Sequence, residues 1–132
     1  MKSHRQAVGH LGETLAANFL AELGYKILER NVRTPYGEID LIAEQPNEVD
    51  ADTESGKTIV FIEVKTRTTH KYGFPEDSIT SRKIEHMVSA AEYYLQNHPD
   101  IDNDWRIDVI SIEFITANQE PQIIHFQNAI HT

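Results

Sequence analysis

The sequence predicts an α/β protein in which a mixed central sheet is flanked by helices, in the order α-β-β-β-α-β-β. Two segments, about 5–23 and 80–97, carry apolar residues at helical spacing. Five shorter segments between and after them are rich in β-branched and aromatic residues, which is typical of strands. Segments of both kinds bury their apolar surfaces by packing helices on a sheet, so this order predicts a layered α/β fold.

Length and composition indicate a single globular domain spanning 1–132. The chain is 39% hydrophobic and 25% charged, and no apolar run approaches the ~20 residues of a membrane helix. No hydrophobic run of signal-peptide type follows the basic N-terminus. We therefore expect a cytoplasmic protein without a membrane partner. The absence of cysteine excludes disulfides and thiolate zinc sites.

The first helix is predicted over about 5–23, and Gly24 is a natural stop signal after it. Its apolar stripe is predicted to comprise Val8, Leu11, Leu15, Phe19 and Leu23. Glu13 lies off this stripe, beside Ala16, Ala17 and Leu20. It is either an acid facing solvent or a carboxylate that leans over a neighbouring site.

Three strands are predicted to follow. The first covers Tyr25 to Val32 and ends at a turn whose Pro35 and Gly37 suit the required backbone angles. Residues 37–43 and 60–67 then form an antiparallel hairpin. The segment joining them, 45–57, is polar and acidic and is predicted to be a mobile loop.

The second half of the chain supplies the second helix, about 80–97, which Thr80 or Ser81 caps, and two further strands. The strand at 105–114 is apolar on both faces, which predicts a central position parallel to the 60–67 strand. The short strand at 122–126 is predicted at an edge. Arg106 and Asp108 share a face of the central strand, and we interpret them as a structural ion pair.

Charged residues interrupt the apolar rows of the hairpin. Because side chains alternate along a strand, Glu63 and Lys65 share a face with Phe61, and Asp40 shares a face with Glu38 and Ile42. Ile39, Leu41 and Ala43 are then expected together on the other face. Buried charges must be paired or bound to a metal.

Two explanations remain open for these charges. One is an ion pair at the end of the sheet, between Glu63 and Lys65 or between Asp40 and Lys65. The other is a hard-cation site in which Asp40 and Glu63 bind Mg²⁺ or Mn²⁺. In that case Lys65 can hold an attacking water or meet charge that develops on a phosphate oxygen.

An ordered series of short motifs carries a resemblance. Asp40, a spacer of 22 residues and Glu63-Val64-Lys65 resemble the signature of the PD-(D/E)xK nuclease superfamily. The wider series is Gly12-Glu13, 24–28, Arg30-Asn31, 37–43, 61–67, Lys83, Ala90-Ala91, Tyr94-Leu95 and 106–109. Over roughly 8–130 the chain resembles the YraN-like family of small bacterial proteins, which is similar to archaeal Holliday-junction resolvases.

The resemblance implies a restriction-endonuclease-like core and a metal-dependent nuclease that acts on DNA, including branched DNA. It implies catalytic roles for Asp40, Glu63, Lys65 and Glu13, with the Val64 carbonyl as a further metal ligand. Similarity to the resolvases also implies a homodimer. Glu38 stands where the superfamily name has proline, which leaves Asp40 in place.

The net charge of −9 argues against a nucleic-acid partner, because such proteins usually carry a basic surface. Eight acids, however, lie within 44–54 and 100–104, in or beside two predicted loops. The candidate nucleic-acid-binding residues lie near the motif instead: Arg67, Lys71, Tyr72, Arg82 and Lys83. The alternative to a nuclease is a catalytically silent module on the same fold that binds nucleic acid or protein.

Overall fold

The structure is a computed structural model that describes residues 4–45, 57–68, 80–114 and 120–129. The elements are α1 (His4–Glu22), β1 (Lys26–Thr34), β2 (Gly37–Gln45), β3 (Thr58–Arg67), α2 (Ser81–Gln96), β4 (Trp105–Glu113) and β5 (Gln122–Phe126). The predicted order is confirmed. The predicted acidic loop lies outside the described residues except at its two ends, and so do Lys71 and Tyr72.

The five strands form one mixed sheet in the order β1-β2-β3-β4-β5. β3 and β4 are parallel, whereas the other neighbouring pairs are antiparallel. This confirms the central position of β4, the parallel crossover through α2 and the edge position of β5. The arrangement is the α-β-β-β-α-β-β core of a restriction-endonuclease-like fold. Among the described residues, no helix is long and apolar enough to cross a membrane.

The two helices cover opposite faces of the sheet, and each face has its own core. The α1-side core contains Ala16, Ala17, Leu20, Tyr25, Leu41, Ala43, Val60, Ile62, Ile110 and Ile112. The α2-side core contains Ile39, Ile42, Ile59, Phe61, Ala90, Ala91, Tyr94 and Ile107. Because β2, β3 and β4 contribute to both cores, these strands are fixed from two sides. A site at their ends therefore stands on a rigid base.

The predicted apolar stripe of α1 is wrong at Leu11 and Leu23, whereas Leu15 and Phe19 pack against the core. Leu11 and Leu23 are 48% and 56% exposed, whereas Ala16 and Leu20 are fully buried. The buried face is centred on small residues because α1 approaches β3 closely. A methyl group on Gly12 would overlap Thr66 Oγ1. Because the buried face of α1 is centred on Ala16 and Leu20 and not on Leu11 and Leu23, Glu13 faces the sheet and not open solvent.

The expected alternation along β2 is also wrong at Ile39, which packs with Ile42 and not with Leu41 and Ala43. β2 pairs with β3 from Gln45 opposite Thr58 to Leu41 opposite Ile62. On the other side, Asn31 of β1 has a left-handed backbone with φ 53°. Asp40 lies just before the segment of β2 that pairs with β3, and its side chain there reaches Val64 of β3.

A buried polar network supports the structural interpretation of Arg106 and Asp108. The Asp108 carboxylate is fully buried and accepts hydrogen bonds from Arg106 Nε at 2.9 Å and from Asn128 N at 2.8 Å. His125 Nε2 lies 2.7 Å from its other oxygen. Burial alone would raise the pKa of Asp108, but the hydrogen bonds from His125 and Arg106 hold it below its usual value. The network fastens β5 to β4.

Candidate functional site

Asp40 is the centre of the site. Its Oδ2 accepts a hydrogen bond from the Val64 backbone N–H at 2.8 Å, so a side chain replaces the strand carbonyl that would otherwise pair there. Burial and the nearby Glu63 carboxylate raise the pKa of Asp40 from 3.8 to about 8, although the Val64 hydrogen bond acts in the opposite direction. The ion pairs found among the described residues do not include Asp40. The partly buried Asp40 carboxyl group thus has no ion-pair contact in the described segments, although the charge of Lys83 acts on it at longer range.

Three acids converge at this point. One carboxylate oxygen each from Glu13, Glu38 and Asp40 lies within 4.8 Å of the other two. When the Asn31 amide nitrogen faces the acids, it donates to Glu13 Oε1 at 2.7 Å and to Glu38 Oε1 at 2.8 Å. Burial and the charge of Glu38 raise the pKa of Glu13. The left-handed residue of β1 therefore fastens together two of the three acids.

Glu63, unlike Asp40, contacts two of the lysines that the structure describes. Its Oε1 lies 2.9 Å from Lys83 Nζ and 3.6 Å from Lys65 Nζ. The proposed Glu63–Lys65 ion pair is thus present. The proposed Asp40–Lys65 pair is absent from the ion pairs of the described segments. The three-acid group found there does not include Glu63 either, which acts on Asp40 through its charge.

The two lysines beside Glu63 differ in basicity. Burial and the adjacent Lys83 lower the pKa of Lys65. Burial also disfavours charge on Lys83, but contacts with Lys65 and Glu63 outweigh it and raise the pKa of Lys83. Lys65 is therefore the less basic of the two amines, and both contact Glu63 Oε1.

The candidate nucleic-acid-binding residues divide into three groups. Arg82 and Lys83 occupy the first turn of α2, whose capping residue Thr80 accepts a hydrogen bond from Lys83 N at 3.2 Å. Arg82 is exposed, whereas Lys83 lies inside the acid site. Arg67 ends β3 opposite Glu113 of β4. Lys71 and Tyr72 fall outside the described residues.

Sequence reasoning missed two participants, Glu38 and Asn31. The signal for Glu38 was available, because it lies two residues before Asp40 on one strand and alternation places both on one face. For Asn31 the signal was weaker. Asparagine is among the few residues that tolerate a positive φ, but nothing nearby in the sequence announces a turn there.

A cavity of about 410 Å³ lies beside the acids, between the ends of β2 and β3 and the first turns of α2. Its apolar and aromatic lining comprises Tyr36, Ile39, Phe61, Ile62, Met87, Ala90 and Ile107. Glu38 and Glu63 line it as well. The cavity and the acid site therefore share a wall.

A solved structure and several known proteins are similar to this chain. The structure of Pyrococcus furiosus SfsA in complex with Ca²⁺ matches with a TM-score of 0.32 and 12% identity, over 92% of this chain and 62% of that chain. A UPF0102 protein of Geobacter metallireducens is 44% identical over 129 residues, which covers 98% of this chain and 96% of the relative.

A second UPF0102 protein, from Caldicellulosiruptor saccharolyticus, is 36% identical over 126 residues, covering 96% of this chain and 98% of the relative. The family described as "Uncharacterised protein family UPF0102" matches residues 12–112, which contain all the acids and lysines of the site. These matches confirm the resemblance to the YraN-like family. The chain belongs to the UPF0102 family.

Proposed function

We propose that this protein is a metal-dependent nuclease that hydrolyses phosphodiester bonds of DNA. The observation that carries the proposal is the partly buried Asp40 carboxyl group, whose pKa is raised to about 8 by burial and by the Glu63 charge and which forms no ion pair among the described residues. Removing a carboxylate from water is costly without a compensating charge. A divalent cation held by Asp40 would supply that charge.

The donor set fits a hard cation. Mg²⁺ and Mn²⁺ prefer oxygen ligands, and Mg²⁺ commonly takes one or two carboxylates and retains several waters. Asp40 would bind the ion directly, and Glu13 and Glu38 offer oxygens within 4.8 Å. Glu63 and the Val64 carbonyl are the further ligands that the superfamily resemblance implies. A divalent ion bound here would polarise the phosphate and lower the pKa of a bound water.

The lysines complete the chemistry. Lys65 is suited to hold the attacking water or to meet charge that develops on a phosphate oxygen. Lys83 keeps its charge and is suited to meet the negative charge that grows on the phosphate oxygens. If Glu63 held a cation, its contacts with Lys65 and Lys83 would weaken, and Lys83 would become available to the substrate.

DNA, including branched DNA, is the proposed substrate, and Arg67, Arg82 and Lys83 are the proposed contacts to its backbone. Lys71, Tyr72 and a homodimeric assembly remain predictions from the sequence. Cationic residues near the acids reduce the repulsion between an acidic protein and phosphate. Binding of this kind weakens as salt increases, because phosphate contacts release counterions.

A catalytically silent binding module is the second candidate. Two observations favour it: the net charge of −9, and the engagement of Glu63 Oε1 by both Lys83 and Lys65. If those contacts are permanent, Glu63 is a structural partner of the lysines and not a metal ligand. The intact set of acids and lysine favours the nuclease, because a binding module has no need of it.

Cleavage of labelled linear, flapped and four-way DNA, with Mn²⁺ or with chelator, tests the proposal. Lys65→Ala is expected to abolish cleavage and to leave Mn²⁺ affinity, measured by calorimetry, within about twofold, because lysine is not a ligand of this ion. Lys26→Ala is the matched control, because Lys26 is exposed at the start of β1, opposite Glu44 and away from the acids of the site. Full activity in Lys65→Ala would exclude its catalytic role. Absence of cleavage of every DNA would favour the silent module.

A further inference from the structure

We propose that the cavity beside the acid site receives one unpaired nucleobase of the DNA substrate. The inference rests on the proposed nuclease function and specifies its substrate class. At about 410 Å³ the cavity falls in the ~300–1,000 Å³ range of small-molecule sites. That volume suits a single nucleoside and is too small for a duplex or a protein segment.

The cavity offers an aromatic ring and a thioether to a base. Tyr36 lines it and is 49% exposed, whereas Phe61 is 2% exposed and packs edge-to-face against Tyr94 and Trp105, both at 5.8 Å between ring centroids. Met87 lines the cavity from α2. A base inserted here can contact the Tyr36 ring and the Met87 sulfur, which favour stacking whatever the base.

The rim has the charges that a nucleotide requires. Arg82, Lys83 and His86 line it on the α2 side, where they can meet the sugar-phosphate backbone. Glu38 and Glu63 line the strand side and can accept N–H groups from the edge of a base. The rim therefore offers hydrogen-bond donors on its α2 side and acceptors on its strand side, as a nucleotide requires.

The shared wall defines the substrate. Because Glu38 lines the cavity and belongs to the three-acid group, and Glu63 lines it and acts on Asp40 through its charge, a base in the cavity places an adjoining phosphate near Asp40. A base that is stacked and paired within a duplex cannot enter such a cavity unless it is extruded, at an energetic cost that is least for unpaired nucleotides. The preferred DNA therefore carries an unpaired nucleotide next to the bond that is cut.

The methionines provide a direct test. The chain contains two, Met1 and Met87, so methionine labelled with ¹³C at its methyl group gives two assignable NMR signals. Deoxyadenosine monophosphate is titrated into the labelled protein in chelator, so that no hydrolysis takes place. We expect a saturable ring-current shift of the Met87 signal, no shift of the Met1 signal, and no Met87 shift from deoxyribose 5-phosphate, which lacks a base.

Two variants of α2 serve as comparison. Ala90→Leu fills the cavity and is expected to weaken nucleotide binding about tenfold or more, equivalent to about 1.4 kcal/mol. Val88→Leu adds bulk on the same helix, where Val88 packs against the α2-side core outside the cavity lining, and should leave binding unchanged. If Ala90→Leu does not fold, nuclear Overhauser contacts between the Met87 methyl group and base protons in the parent protein decide the matter.

The outcomes separate this inference from the proposed function. Equal Met87 shifts from the nucleotide and from deoxyribose 5-phosphate, or no shift at millimolar nucleotide, would overturn the base site even in an active nuclease. A base-dependent shift in a protein that cuts no DNA would support the base site and overturn the nuclease.

Discussion

Replacing Asp40 by asparagine should stabilise the metal-free protein, although it removes the central acid of the site. The side chain of asparagine has almost the same shape, and its Oδ1 can still accept the hydrogen bond from Val64 N. What the substitution removes is a partly buried carboxyl group whose ionisation is opposed by burial and by Glu63 and Glu13, so that the folded protein at pH 7 holds it mostly protonated at a cost in stability. Asparagine does not ionise and avoids that cost.

The magnitude follows from the pKa of Asp40. Folding raises it from 3.8 to about 8, so the stability that this group contributes is fully present below pH ~4 and is lost as the pH rises through about 8. Each unit of pKa corresponds to about 1.36 kcal/mol, so the roughly three units between pH 4 and 7 set a ceiling of ~4 kcal/mol. We expect Asp40→Asn to gain ~1–4 kcal/mol at pH 7 in chelator, and less near pH 4.

Thermal melts of parent and variant, each in chelator and with Mn²⁺, measure this effect. Mn²⁺ at a hundredfold excess over its dissociation constant should add ~2.7 kcal/mol to the parent, and most of that gain should be missing in the variant. If Asp40 were instead the partner of Lys65, the variant would melt lower than the parent in chelator and metal would stabilise neither protein. That pattern would refute the assignment of Asp40 as a metal ligand.

Three further variants test separate features of the structure. Gly12→Ala should cost ~1–3 kcal/mol because its methyl group overlaps Thr66, and Thr66→Ala in the same chain should recover part of the loss in chemical unfolding. Asp108→Asn should cost ~3–5 kcal/mol at pH 7. It should also abolish the loss of stability that the parent shows as pH falls through the depressed pKa of Asp108. Arg82→Ala should reduce the log–log salt slope of DNA binding by about 1, whereas Lys26→Ala should leave it unchanged.

The fold could be predicted from the sequence because its signals are local. The apolar spacing of α2 and its cap at Thr80 depend on neighbours three and four residues away, and the structure confirms both. The buried face of α1 could not be predicted in this way. Apolar spacing favours Leu11 and Leu23, but the fit of Gly12 against β3 decides which face is buried.

The site could be predicted in part for the same reason. Asp40, Glu63 and Lys65 belong to one hairpin, so strand alternation could predict that their side chains interrupt its apolar faces. The contact of Lys83 with Glu63 joins α2 to β3, and residue spacing along the chain does not predict such a contact. Ile39 lies beyond the segment of β2 that pairs with β3, and there strict alternation gave the wrong face.

The bond from Val64 N to Asp40 has a consequence for the sheet itself. A backbone carbonyl is a permanent acceptor, whereas a carboxylate becomes a weaker acceptor once it is protonated. The start of β2 is therefore attached to β3 by a bond whose strength follows the ionisation of the site. The exchange rate of the Val64 amide hydrogen, corrected for its intrinsic dependence on pH, should report whether Asp40 is charged. Exchange of the Val64 amide hydrogen thus reports the ionisation state of Asp40 on the neighbouring strand.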